Sequence, residues 1–187
     1  MINLIVATDL NGAIGIKGDN RLPWHHAKDM EYFKERTTGN IVIMGENTWF
    51  SLPDKYRPLP ERKNIIISDC PYKVWESVTK DNNYPLNVTV SISIDNAVSY
   101  AEKENKATFV IGGYSIYKQF LEKDLIDQIY INVLKLELDN PKEDLLFFPF
   151  FPDDSDPNWV RQMKMETPEM TAYVYQSQNF IEGRLHV

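Results

Sequence analysis

The chain has 187 residues, 43% of them apolar and 25% charged, which excludes a disordered chain and suffices for one sizeable core. Asp and Glu number 27 against 20 Lys and Arg, a formal charge of -7 that argues against nucleic-acid and anionic-membrane partners. Cys70 is the one cysteine and there are three histidines, so a disulfide framework is excluded and no metal site is expected. The opening segment MINLIVATDL is apolar but short and has no basic region before it. It reads as neither a secretory signal nor a membrane span, and the expected compartment is the cytoplasm.

Short unbroken apolar runs and helix-like stretches alternate along the chain. Ile2 to Ala7 is the first run and reads as a strand buried on both faces. Residues 26–36 predict a helix with Asp29, Met30 and Phe33 on one stripe. Ile41 to Met44 and Ile65 to Ile67 are further buried strands. Residues 70–87 are polar and turn-rich and read as a surface excursion. Residues 95–105 predict a helix capped by Asp95, with Ala97, Val98 and Ala101 facing inward. Phe109 to Ile111 is a strand, 114–122 a helix carrying Ile116, Tyr117, Phe120 and Leu121, and Ile129 to Leu134 a strand. Two extended segments end the chain. Trp159, Met163 and Met165 share a parity in the first, Tyr173 and Tyr175 in the second, with a turn at Thr167-Pro168-Glu169 between them. The pattern predicts an α/β sheet covered on both sides and closed by an antiparallel hairpin. Ile181-Glu182-Gly183-Arg184 spells a protease-cleavage linker and carries no function.

Five features could carry chemistry, each beside a plainer account. Asp29 stands on an apolar stripe, where desolvation raises a carboxyl pKa. Such a carboxylate suits a partner offering two parallel N–H groups, as a 2-aminopyrimidinone edge does. The plainer account, an acid placed favourably in a first helical turn, is stronger on periodicity alone. Gly12, Gly15 and Gly18 allow close backbone approach in the loop Asp9 to Trp24, without the dinucleotide fingerprint spacing. Ile111-Gly112-Gly113 and Met44-Gly45-Glu46 each place glycine between a buried run and a helix, a geometry suited to a diphosphate or simply to a tight turn. Two such strand ends in one sheet bracket an extended nucleotide. Arg57 and Arg62 flank Pro58-Leu59-Pro60 and could hold an acidic tail or merely be solvated.

The order of these blocks resembles dihydrofolate reductase. The resemblance rests on Leu22-Pro23-Trp24 with Asp29, Met30 and Phe33; on Ile43-Met44-Gly45 with Thr48, Trp49 and Ser51; on Arg57-Pro58-Leu59-Pro60 with Arg62 to Ile65; and on Ile111-Gly112-Gly113 with Ile116, Tyr117, Phe120 and Leu121. It runs from Ile2 to about Phe180. The resemblance implies a mostly parallel eight-stranded sheet with four flanking helices. It implies an adenosine-binding subdomain over about 40–106 and a loop subdomain of 1–39 plus 107–187. The implied reaction is NADPH-dependent reduction of 7,8-dihydrofolate to tetrahydrofolate, which serves one-carbon metabolism and thymidylate synthesis. Hydride passes to pterin C6 and a proton to N5, in a monomer.

Roles follow by position from the same resemblance. Asp29 is implied to bind the pterin N3 and 2-amino group, with Trp24 holding a bridging water. Ile5, Val6, Met30, Phe33, Leu52, Leu59, Ile111, Tyr117 and Asn132 are implied on the substrate side. Arg62 pairs with the glutamate carboxylate of the substrate, with Arg57 assisting. Ala7, Ile14, Gly15 and Tyr117 face the nicotinamide. Gly45, Thr48, Gly112, Gly113, Ser115 and Ile116 meet the diphosphate and ribose, the peptide between the paired glycines being cis. Glu46, Asn47, Ser68 and Asp69 occupy the places that hold the cofactor's 2′-phosphate, and the loop Gly12 to Leu22 acts as a lid. The chain departs from the family at Glu46, where a cation is usual, at Asp69, and at Asn132, where a threonine hydroxyl is usual. Glu46 should repel a phosphate, so either the preference for NADPH weakens or Lys73 replaces the lost cation. Two rival readings are a same-fold reductase acting on a pyrimidine and a non-catalytic binding module.

Overall fold

A computed structural model describes residues 1–19, 22–79 and 84–183. The apolar runs become strands β1 (Ile2–Thr8), β3 (Ile41–Gly45), β4 (Lys63–Ile67), β5 (Val88–Ser91), β6 (Thr108–Val110) and β7 (Gln128–Leu134). The last two long strands are β9 (Trp159–Glu166) and β10 (Met170–Ser177). Together they form an eight-stranded sheet of order β5-β4-β3-β6-β1-β7-β10-β9. Every neighbouring pair from β5 to β7 is parallel, and β10 runs antiparallel to both β7 and β9. Two short strands, β2 (Ala13–Ile16) and β8 (Leu145–Phe147), pair antiparallel outside this sheet.

Helices cover both faces, because strands apolar on both sides need cover on both sides. On one face Tyr32 of α1 (Ala27–Thr37), Trp49 of α2 (Glu46–Ser51) and Val74 of α3 (Pro71–Val78) pack with Ile5, Val42, Met44, Ile66 and Phe109. On the other, Ala97 and Ala101 of α4 (Ile94–Glu102) and Ile116, Tyr117 and Phe120 of α5 (Tyr114–Glu122) pack with Leu4, Ile43, Ile65 and Val110. A short turn of helix, α6 (Gln178–Ile181), follows β10. The four longer helices, α1, α3, α4 and α5, are the four the resemblance implied.

Several expectations change. The stretch 70–87 is not wholly a surface excursion. Pro71 starts α3 with its φ already helical and no N–H to leave unpaired. Val74 is then fully buried and Trp75 packs against the same cluster, a contribution of about 1.5–3 kcal/mol for the valine alone. Residues 80–83 of that stretch lie outside the described residues, as does Arg184. Strand β5 follows, too short to announce itself by periodicity. Ser93, not Asp95, caps α4: its Oγ accepts the Asn96 N–H at 3.1 Å. On α1 Met30 is 45% exposed, and Tyr32 is the buried apolar residue of that turn. The register between β9 and β10 shifts between Val174 and Tyr175, so Trp159 pairs with Ser177 while Met163 pairs with Val174. This bulge puts Trp159 on the opposite face from Met163 and Met165, and the shared parity is lost.

Candidate active site

One cavity of about 1630 Å³ opens along the carboxyl ends of β1, β3, β4 and β6. A single small ligand fills roughly 300–1,000 Å³, so the space suits two molecules side by side. Parallel strands place ligands beyond their carboxyl ends, and here the chain turns from each strand directly into the cavity wall.

Asp29 lines this wall from the first turn of α1. His26 starts the helix, its Nδ1 accepting the Asp29 N–H at 3.3 Å. The carboxylate points at the sheet, where Asn132 Nδ2 of β7 donates to its Oδ1 at 2.8 Å. Asp29 is 8% exposed, and burial pushes its carboxyl pKa up, opposed by the Asn132 bond and by His26. Two further polar atoms here are buried and make no hydrogen bond to a described residue: Trp24 Nε1, a donor, and Asn132 Oδ1, an acceptor. Tyr117 crosses from α5 to donate its hydroxyl to the Ile5 carbonyl at 2.8 Å, and burial raises its pKa. Ile5, Met30, Phe33, Leu52, Leu59 and Ile111 supply apolar lining, and Val6, Ala7, Ile14 and Gly15 continue it.

The other half of the cavity is made largely of backbone. The Gly45 N–H donates to the Gly112 carbonyl at 2.7 Å, locking the ends of β3 and β6 together. A Cβ on Gly45 would lie 2.9 Å from Ile116 Cγ1, and one on Gly113 would lie 3.2 Å from Thr48 Oγ1. Gly112 has φ +116, a region that only glycine enters freely, and the Gly112–Gly113 peptide is cis. Close packing against Ile116 and Thr48 thus leaves no room for a side chain at Gly45 and little at Gly113, and all three glycines line the cavity. Thr48, Asn47, Ser115, Ile116, Ser68 and Asp69 line the same half. Glu46 is held there by the Ser68 hydroxyl, and Lys73 Nζ lies 3.8 Å from its Oε1.

Arg62 lines the cavity near the far end of α1 and is 7% exposed. Its Nε donates to Thr37 Oγ1 at 2.8 Å, and one Nη to the Pro60 carbonyl at 2.7 Å. The guanidinium also stacks over Phe33, 5.8 Å from the ring centroid, and burial lowers its pKa. Arg57 is different. Its Nη2 donates to Asp54 Oδ1 at 2.6 Å and its cation stacks over Phe50, so a neighbouring carboxylate takes the charge and Arg57 does not line the cavity. Asn132 also lies behind the wall and reaches the site through Asp29 alone. Sequence reasoning missed the Ile92 to Asp95 segment and Leu146, which line the cavity from the end of β5 and from β8. The capping serine of α4 was the available signal for the first. The expected lid includes Asn20 and Arg21, which lie outside the described residues.

A two-sided α/β sheet with one long cleft at its strand ends, a buried carboxylate in one half and a glycine cradle in the other, defines a nucleotide-dependent enzyme of small-molecule metabolism. Comparison with known proteins narrows the class. A model of the dihydrofolate reductase family matches residues 1–181. The chain is 31% identical over 186 residues to the dihydrofolate reductase of Candida albicans, covering 96% of this chain and 90% of that one. It is 36% identical over 147 residues to that of Haemophilus influenzae, covering 79% and 78%. The solved structure of dihydrofolate reductase from Enterococcus faecalis, complexed with NADP(H) and RAB-propyl, shares the fold at a TM-score of 0.71 and 24% identity, covering 95% of this chain and 96% of that one. The chain belongs to the dihydrofolate reductase family.

Proposed function

We propose that the protein reduces 7,8-dihydrofolate to 5,6,7,8-tetrahydrofolate with NADPH, as a monomer, and so supplies tetrahydrofolate for one-carbon metabolism and thymidylate synthesis. The observation that carries this reading is the buried carboxylate of Asp29 in the wall of the cavity. It lines the same cavity as the paired glycines and as Arg62, so an acid for a pterin edge, a cation for an acidic tail and a place for the cofactor share one cleft. NADPH, when bound, supplies the hydride that reaches pterin C6.

The chain's own groups do the rest. Asp29 accepts two parallel N–H bonds from the pterin N3 and 2-amino edge, a charge-assisted pair in a dry place. Burial raises its pKa, so it holds its proton to higher pH than an exposed aspartate does, which favours the tautomer that is protonated at N5. Trp24 Nε1, buried beside the cleft, orients a water toward that end. Asn132 fixes the carboxylate's rotamer, taking the place of a hydroxyl with an amide donor. Phe33, Leu52 and Leu59 exclude water around the aryl ring, and Arg62 meets the tail carboxylate. Gly45, Gly112 and Gly113 let the backbone approach the diphosphate, and Lys73 offsets the charge of Glu46 beside the adenosine ribose. Residues of about 40–106 are assigned to an adenosine-binding subdomain and 1–39 plus 107–187 to a loop subdomain, with the substrate and the cofactor each touching both.

The test is absorbance at 340 nm with NADPH and dihydrofolate. Turnover by the unaltered protein and a loss of at least a hundredfold in Asp29→Asn are expected. No turnover with dihydrofolate, or full turnover in the variant, overturns the reading.

A further inference from the structure

Asp9 is completely buried, yet it lies outside the cavity and takes no part in the chemistry just described. It follows β1 directly. Its Oδ1 accepts the N–H groups of Asn11 at 2.9 Å and Ala13 at 2.7 Å. Its Oδ2 accepts the N–H of Leu138 at 3.2 Å, on the segment that follows β7. Main-chain bonds reinforce both ties: Asp9 N–H to the Ala13 carbonyl at 2.9 Å, and Leu10 N–H to the Leu136 carbonyl at 3.0 Å. Gly12 has φ +84, which closes the turn between them.

What these ties hold is a wall of the cleft. Ala13 opens β2, and the next two residues, Ile14 and Gly15, line the cavity. β2 pairs with the three-residue β8 and is not a strand of the eight-stranded ladder. Loops built on short, separate ladders open at lower free energy than core strands do. A buried carboxylate with three converging N–H donors is a strong, charge-assisted fastening for such a segment. We propose that Asp9 is a positioning residue: it pins the β2 wall to the segment after β7, and thereby sets where Ile14 and Gly15 lie against the cofactor. The positioning role rests on the reductase reading; the fastening itself does not.

The arrangement distinguishes a carboxylate from its amide. Asparagine at position 9 keeps one acceptor oxygen for Asn11 and Ala13 but sets an NH2 group against the Leu138 N–H, donor facing donor. Asp9→Asn therefore cuts the tie to the β7 segment and leaves the turn, while Asp9→Ala cuts both. The experiment measures amide hydrogen exchange across the protein together with steady-state kinetics. In Asp9→Asn, exchange at Leu138 and over residues 13–16 is expected to quicken at least tenfold, with the core strands β1, β3 and β6 unchanged. The value of kcat is expected to fall about tenfold while KM for dihydrofolate stays within twofold, since misplacing a wall shifts alignment more than substrate affinity. Asp9→Ala, if it folds, loses more of both. Unchanged exchange over 13–16 in Asp9→Asn overturns the fastening. Quickened exchange with unchanged kcat overturns the positioning role and leaves a purely structural residue. A wild-type protein without turnover overturns the reductase reading and the positioning role with it, while the exchange data still judge the fastening independently.

Discussion

Asp29 and Glu46 are carboxylates at opposite ends of one cavity. Asp29 is fixed on helix α1, accepts from Asn132, and is almost closed to water. Glu46 keeps 26% of its side chain exposed and has two partners, the Ser68 hydroxyl and the Lys73 ammonium. Formal charge is the same; electrostatic weight is not. A charge in the dry end acts through a low effective dielectric and is poorly screened. A charge at the wet end is offset by a cation and reduced by salt. The substrate end should thus respond steeply to substitution and the adenosine end mildly.

Asp29→Asn is the strongest challenge to that contrast. A loss of about 10²–10⁴ in kcat/KM is expected, read by the 340 nm assay. Stability should move the other way. A carboxyl whose folded pKa lies above its unfolded value binds more protons when folded, so stability falls as pH rises through that window. The variant, with no proton to lose, should melt higher than wild type at pH 7, with the gain disappearing once pH drops below the unfolded carboxyl pKa near 4. Thermal melts at pH 3.5 and 7 check this, and an equal difference at both would break the link to burial.

Arg62→Lys comes next. It keeps the charge but not the fork, and it abandons Thr37 and Pro60. KM for dihydrofolate should rise about 10- to 100-fold, the span of one charge-assisted hydrogen bond, with KM for NADPH little changed. Asn132→Ala should cost about tenfold in kcat/KM. It removes a bond that lowers the Asp29 pKa, so the corresponding limb of the pH–rate profile should move to higher pH. A limb moving to lower pH would contradict the assignment of that bond. Glu46→Gln should have the smallest effect. KM for NADPH should fall about two- to five-fold at low salt and less at high salt, while KM for NADH stays level. A change of a hundredfold would mean that Glu46 is as consequential as Asp29, and the contrast would collapse.

The sequence displays these two ends unequally. The strands that frame the cavity are runs such as Ile41–Met44 and Ile65–Ile67, and their burial on both faces follows from composition alone. Asp29 stands out only because an acid on an apolar stripe is uncommon; the order of the motif blocks is what gave it meaning. Asn132 is legible as a departure from a family pattern, but that its amide touches Asp29, 103 positions away, depends on β7 lying beside β1. Arg57 is the converse case. Its charge is plain in the chain, but Asp54, three residues earlier, captures it. Helix α3 is an eight-residue amphipathic segment with Val74, Trp75 and Val78 toward the core, and the polar residues that follow it, with Pro85 and several asparagines, made the whole stretch read as a surface loop. Asp9 gave no signal, since a turn aspartate bonding its own loop and one bonding a distant segment look alike in sequence.

The register shift between β9 and β10 has a consequence at the rim of the sheet. β9 is an edge strand of eight residues, and a flat apolar edge of that length invites another chain to add on. The irregularity divides it. Trp159 turns inward to Phe150, while the outward stretch alternates Met163 and Met165 with Lys164 and Glu166. Lys135 reaches Glu166 at 3.1 Å, and Lys164 lies over the Tyr173 ring. A kinked, charge-studded border is a poor template for strand addition, so the same extra residue that repositions one tryptophan also guards against edge-to-edge aggregation.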